Sequence, residues 1–181
     1  MFEKLRQRLF QRELKKKLHN QHHKRASLSL EKARYIGILF DGTELENRNP
    51  VLAYARQLKK SGKRVKLLGF MDNTADNSNH PFPNFNRKDL SWFFTPKAEE
   101  TRRFIQEPFD ILLHLSLQPQ PWMDYIATLS AARFRVGSAR AAAEACDLML
   151  DMNKDQNIQE FIRQAEQYLQ KMQSQYESLP V

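Results

Sequence analysis

The chain carries one cysteine, Cys146, among its 181 residues. That excludes an internal disulfide framework and a thiolate zinc cluster, and nothing in the sequence demands an oxidising compartment; a reducing cytoplasm is the expected location. No stretch approaches the roughly 18 consecutive apolar residues that cross a bilayer, and the N-terminus is charged where a secretion signal needs its apolar run. Neither membrane spanning nor secretion is expected. Glycine is scarce, with five in the chain, and Gly37 and Gly42 do not form the fingerprint of a phosphate-cradling loop. Dinucleotide binding is therefore not expected.

Acidic residues are almost missing from one region. Between Met1 and Arg25 there are nine cations (Lys4, Arg6, Arg8, Arg12, Lys15, Lys16, Lys17, Lys24, Arg25) against Glu3 and Glu13, so this end holds seven of the eight net positive charges. Within it Phe2, Leu5, Leu9, Phe10, Leu14 and Leu18 recur at three- and four-residue steps, which predicts a basic amphipathic helix over residues 1–26. The polar stretch His19-Asn20-Gln21-His22-His23 and then Ser27 and Ser29 weaken the pattern, and residues 27–33 read as a hinge.

Residues 34–181 have the composition of a folded domain, and the whole chain is 41% hydrophobic and 10% aromatic. Tyr35 to Phe40 is a short β-rich run ending in Asp41-Gly42-Thr43, as a buried strand should. Asn49-Pro50 opens a helix closed by Ser61-Gly62, and Arg64 to Phe70 is the second strand of a βαβ unit. Residues 72–88 read as a long loop, Leu90 to Phe94 as a third strand and Pro96 to Gln106 as a helix. Phe109 to Leu115 is a fourth strand, a helix follows from Pro119-Pro121, and Arg133 to Gly137 is a fifth strand. Leu148 to Leu150 is a possible edge strand, and a last helix is capped by Asn153 or Asp155. The fold class is α/β: a single doubly wound, mostly parallel, Rossmann-like sheet ordered about 3-2-1-4-5, with a C-terminal helix packed on it.

In such sheets ligands lie beyond the carboxyl ends of the strands, which makes Asp41, Gly42, Thr43, Asp72, Asn73 and Ser116 candidate ligand-binding residues. Polar residues are needed at strand ends whatever the function, and turn chemistry is the simpler reading of Asp41 and Asp72. The string Leu39-Phe40-Asp41-Gly42-Thr43 resembles the haloacid dehalogenase motif, but Leu39 stands where the nucleophilic aspartate belongs, so no aspartyl-phosphate can form. His19, His22 and His23 lack carboxylate or thiolate companions and sit among lysines that repel a metal ion. His114 reads as a core histidine and Cys146 as buried and inert. In the loop, Phe82 and Phe85 read as core residues, with Arg87 and Lys88 left in solvent to meet phosphates. No catalytic residue, metal or cofactor is assigned.

Tyr35 to Phe40, Phe85 to Phe94, Pro108 to Ser116 and Ala132 to Gly137 together resemble an uncharacterised bacterial family of small α/β proteins, a domain of unknown function. That resemblance implies an intracellular bacterial protein and no particular activity. More distantly, Phe109 to Leu115 and Ala132 to Gly137 are similar to the N-terminal half of heptosyltransferase-type glycosyltransferases, whose second, donor-binding domain has no counterpart here.

The strongest functional feature is the basic helix. Lys4, Arg6, Arg8, Arg12, Lys15, Lys16, Lys17, Lys24 and Arg25, with Arg87 and Lys88, are the expected nucleic-acid contacts of a non-enzymatic protein attaching to RNA or a ribonucleoprotein such as the ribosome. Two alternatives stand beside it. One is a peripheral protein of anionic membrane surfaces, with Phe2, Leu5, Leu9 and Phe10 in the lipid interface. The other is a small-ligand binder or enzyme at the sheet switch point, including a degenerate glycosyltransferase-like half domain.

Overall fold

A computed structural model describes residues 2–19, 23–152 and 157–177. Six strands form one parallel sheet: β1 (Tyr35–Asp41), β2 (Arg64–Met71), β3 (Asn84–Asn86), β4 (Ile111–Leu115), β5 (Phe134–Ser138) and β6 (Leu148–Leu150), in the order β3-β2-β1-β4-β5-β6. The helices are α1 (Phe2–His19), α2 (Leu45–Lys60), α3 (Glu99–Gln106), α4 (Pro121–Leu129) and α5 (Ile158–Glu177). The fold is Rossmann-like and doubly wound, with the switch point between β1 and β4.

Side-chain alternation along the strands makes two cores. Ile36, Ile38 and Phe40 of β1 face α2 and α5 together with Ile111, Leu113 and Leu115 of β4. Leu39, Leu68 and Leu112 face the other way, toward Phe104 of α3 and Met123, Ile126 and Ala127 of α4. Gly37 lies on that second face because the Phe109 ring occupies the space of a side chain; an added Cβ would sit 2.7 Å from the ring.

The third strand lies earlier than the sequence pattern suggests. Leu90 to Phe94 is not a strand: Ser91 N–H donates to the Thr95 carbonyl (2.9 Å), Phe94 N–H donates to the Ser91 carbonyl (3.0 Å), and Phe94 has φ of 65°. The actual β3 is Asn84-Phe85-Asn86, where Phe85 packs on Phe70 and each asparagine amide donates to loop carbonyls. Asparagine is a poor strand former, which hid this edge strand inside the expected loop. Phe82 and Phe85 are core residues, as their spacing suggests.

Helix α2 also starts earlier, at Leu45. A first turn closed by the Glu44 carbonyl, accepting from Asn47 (3.2 Å) and Arg48 (3.0 Å), precedes Pro50, which sits inside the helix. The expected caps of α5, Asn153 and Asp155, lie outside the described residues, and Asn157 accepts from Glu160 N–H at 2.7 Å there.

Residues beyond α1 are bound to the edge of the sheet where the strands begin. Ala26 N–H donates to the Arg133 carbonyl (3.0 Å), the Arg25 guanidinium donates to the carbonyls of Ser130 (2.9 Å) and Ala132, and Leu30 N–H donates to Leu169 (3.3 Å). Lys63 Nζ donates to the carbonyls of Leu30 (2.7 Å) and Ala33 (2.8 Å). This segment is a strap across the base of the sheet, and His22, just before it, lies outside the described residues.

Arg135 of β5 is buried, with a side chain 9% exposed. Its guanidinium donates to both Asp147 oxygens (3.0 and 2.8 Å) and to the Glu144 carbonyl (2.7 Å), while its own N–H donates to Asp147 at 2.8 Å. Burial raises the Asp147 carboxyl's pKa, but the bonds and charge of Arg135 outweigh it, and the net shift is downward. Arg135→Ala strands a carboxylate and several carbonyls in the interior, with an expected loss of about 3–5 kcal/mol in chemical denaturation. A loss below about 1 kcal/mol would mean that the pair behaves as an exposed one. Because the folded carboxyl is the stronger acid, the stabilisation from Asp147 is present near neutrality and lost as pH falls below about 4.

Candidate functional site

Helix α1 docks on α4. Phe10 and Leu14, each 7% exposed, pack on Tyr125 and Leu129. Burying two such side chains contributes about 1.5–3 kcal/mol each. Each like-charge pair four apart, such as Lys4 with Arg8 or Arg8 with Arg12, costs about 0.2–0.5 kcal/mol. Docking therefore outweighs the self-repulsion of the helix. Phe10 and Leu14 are turned inward, Leu9 and Leu18 are half-buried, Leu5 is exposed, and most of the cations are left on the remaining surface.

Four of those cations share one stripe. Lys4, Arg8, Arg12 and Lys15, with Gln7 and Gln11, line one wall of an open groove of about 880 Å³. Spacings of four, four and three residues bring them to one side of a helix. Among the described residues no carboxylate pairs with any of the four, and no acidic side chain lines the groove.

The facing wall is aromatic. It consists of Phe94, Pro121 and Trp122. Pro121 occupies the first turn of α4, and the indole N–H of Trp122 donates to Gln120 Oε1 at 3.0 Å, which fixes the ring beside Phe94 at 5.8 Å between centroids. Phe94 is the one non-glycine residue with positive φ among the described residues. A bulky side chain held there costs on the order of 1 kcal/mol, and the Ser91–Thr95 turn bonds hold it in place.

The other predicted nucleic-acid residues fall into different positions. Arg6 donates to the Trp92 carbonyl (2.7 Å) and lies over the Phe94 ring at 3.9 Å, tying α1 to the aromatic turn. Lys17 is 3.8 Å from Glu13 and near the Tyr125 ring. Arg25 is committed to the strap. Arg87 is paired with both oxygens of Asp72, while Lys16, Lys24 and Lys88 are exposed away from the groove. Trp92, Phe94 and Trp122 are not among the candidate site residues, since the sequence pattern assigns Trp92 and Phe94 to a strand and Trp122 to the buried face of a helix. The run Trp92-Phe93-Phe94 and the indole in the first turn of a helix were the available signs, and both read equally well as core.

The switch-point residues are used up in turns. Asp41 accepts from Thr43 N–H (3.0 Å) and from the Gln120 amide, a bridge between the ends of β1 and β4. Gly42 N–H donates to the Phe70 carbonyl (2.9 Å), and Thr43 Oγ1 accepts from Asp72 N–H (2.9 Å). Asn73 accepts from Ala75 and Asn77, and the Ser116 hydroxyl donates to the Gln118 carbonyl (2.7 Å). The 880 Å³ groove and two smaller depressions take no wall from Asp41, Gly42, Thr43, Asp72, Asn73 or Ser116. Among the described residues no group of three His, Cys, Asp or Glu side chains is placed to hold a metal ion, and no helix is long and apolar enough to cross a membrane.

Fold and groove define a doubly wound α/β protein with a cationic helix docked beside an aromatic wall. The chain belongs to a family of unknown function, DUF6913, whose members it matches over residues 6–172. No curated protein and no solved structure gives a significant match.

Beneath the groove, α4 covers a second polar group. His114 of β4 is 2% exposed and neither ring nitrogen has a hydrogen-bond partner. Its Nδ1 is 3.7 Å from Asp124 Oδ1, while Asp124 Oδ2 accepts from Ala142 N–H at 3.1 Å. Burial pushes His114 down to about 4, pushes Asp124 up to about 6, and raises the nearby Cys146 thiol to about 12, which makes that thiol inert. As a base with a depressed folded value, His114 loses stability as pH falls from 6.5 toward 4. As an acid with a raised folded value, Asp124 loses it as pH rises from 3.8 through about 6. The two slopes oppose each other in the intact protein. Asp124→Asn is expected to leave the His114 slope alone, so stability of the variant, followed by urea denaturation, rises between about pH 4 and 6.5 while the parent stays nearly flat. A flat variant would sink this account of the pair.

Proposed function

We propose that this protein is a non-enzymatic RNA-binding protein, acting in the cytoplasm, that attaches through α1 to RNA or to a ribonucleoprotein such as the ribosome. The observation that carries the reading is the stripe Lys4, Arg8, Arg12 and Lys15 on the wall of an open groove, with no acid and no carboxylate partner among the described residues there. Cations without carboxylate partners keep a diffuse anion shell, and a polyanion that replaces it gains affinity through release of its own counterions. The alternative of a membrane surface is weakened by the same docking. Phe10 is already buried on α4, and of the stripe expected in lipid Leu5 is 47% exposed and Leu9 intermediate, while the Phe2 side chain lies outside the described residues. Insertion would have to strip Phe10 and Leu14 from Tyr125 and Leu129. An enzyme at the switch point is weakened by the absence of any free carboxylate among Asp41 and Asp72.

Replacing Lys4, Arg8, Arg12 and Lys15 together by alanine is expected to weaken RNA binding strongly and to lower the slope of log affinity against log salt by up to about 3, the value for four contacts to a single strand. Lys59→Ala with Lys60→Ala, on α2 across the sheet, removes charge without touching the groove and should leave both quantities unchanged. Equal losses in the two variants would reduce the effect to net charge and remove the assignment of the site.

A further inference from the structure

Resting on the RNA reading above, we infer that the groove selects single-stranded RNA, with a base stacked on Phe94 and Trp122 while the adjoining phosphates lie along Lys4, Arg8, Arg12 and Lys15. The two walls have different chemistry, and a single strand is the form of RNA that offers both complements at once. Four residues of helix advance about 6 Å, so the stripe offers successive cations at a repeat of the order of the phosphate spacing in an extended strand, over about 16 Å from Lys4 to Lys15. The opposite wall offers aromatic faces with no hydrogen-bonding edge to read a sequence. Trp122 has its N–H satisfied by Gln120, and Phe94 has no polar atom. Base stacking on such surfaces is tolerant of sequence, whereas a duplex keeps its bases stacked on each other and presents phosphates alone. The Ser91–Thr95 turn bonds hold the Phe94 ring at the groove with the Arg6 guanidinium over one of its faces, so a base would stack from the groove side, against Trp122 and the ring face that Arg6 does not cover.

The chain has two tryptophans, so Trp92→Phe leaves Trp122 as the sole indole. Titrating that variant with short oligoadenylate is expected to quench Trp122 emission. Inorganic polyphosphate should compete for the site without quenching, and an RNA duplex of the same length should bind more weakly. In the otherwise unaltered 181-residue chain, Phe94→Leu should lower oligoadenylate affinity about tenfold and leave polyphosphate affinity unchanged, whereas Phe94→Tyr should retain it. An unchanged polyphosphate affinity shows that α1 is still docked and the loss is one of stacking. Oligoadenylate and duplex binding equally, with Trp122 emission unaltered, would overturn the stacked base and leave the RNA reading standing. Failure of every RNA to bind at low salt would end both.

Discussion

The contact of Phe10 and Leu14 with Tyr125 and Leu129 decides what the N-terminal helix is. Free in water, a helix with this crowding of cations has little to hold it straight, and its apolar stripe would look for a lipid or a partner. Seated on α4, it becomes a rigid wall whose charges point where the packing leaves them. The same contact explains α4, in which Met123 through Leu129 are all buried. A helix buried on every side needs cover on every side, and the sheet covers one flank while α1 covers another. The groove is the space left at the upper end of that contact, where α1 runs past Pro121 and Trp122.

Legibility differed sharply between elements, for reasons that lie in the residues. Strands β1, β4 and β5 are buried on both faces, so Tyr35 to Phe40 reads as a continuous apolar run, Ile111 to Leu115 and Phe134 to Gly137 as apolar runs interrupted only by His114 and Arg135, and the doubly wound order followed from their alternation with helices. Strand β3 pairs along one edge and has a single core side chain, Phe85, between two asparagines; nothing in its periodicity separates it from a loop. Leu90 to Phe94 misled for the opposite reason. Its apolar residues are displayed by a turn that leaves Leu90, Phe93 and Phe94 half-buried and Trp92 exposed, and a left-handed Phe94 leaves no trace in composition.

The groove was half legible. The cation stripe is local to one helix, so its spacing was written in consecutive residues. The aromatic wall joins Phe94 to Trp122 across the intervening α3 and β4, and that juxtaposition exists only once the sheet has formed. Asp41 and Asp72, candidates by position whose simpler reading is turn chemistry, are bonded to Thr43 and Gln120 and to Arg87 respectively. Gln120 is bridged to Asp41 across the crevice that most doubly wound sheets use for ligands, and the open groove lies one layer farther out, against α1.

The strap gives this arrangement a mechanical property. Arg25 and Ala26 are fastened to Ser130, Ala132 and Arg133 just past the foot of α4, whereas toward the opposite end α1 is held by Phe10, Leu14 and the Arg6 bond to Trp92. The cation-bearing helix is therefore anchored twice, by its own packing on α4 and by the fastened segment that follows it, so a change that weakens one attachment leaves the other in place.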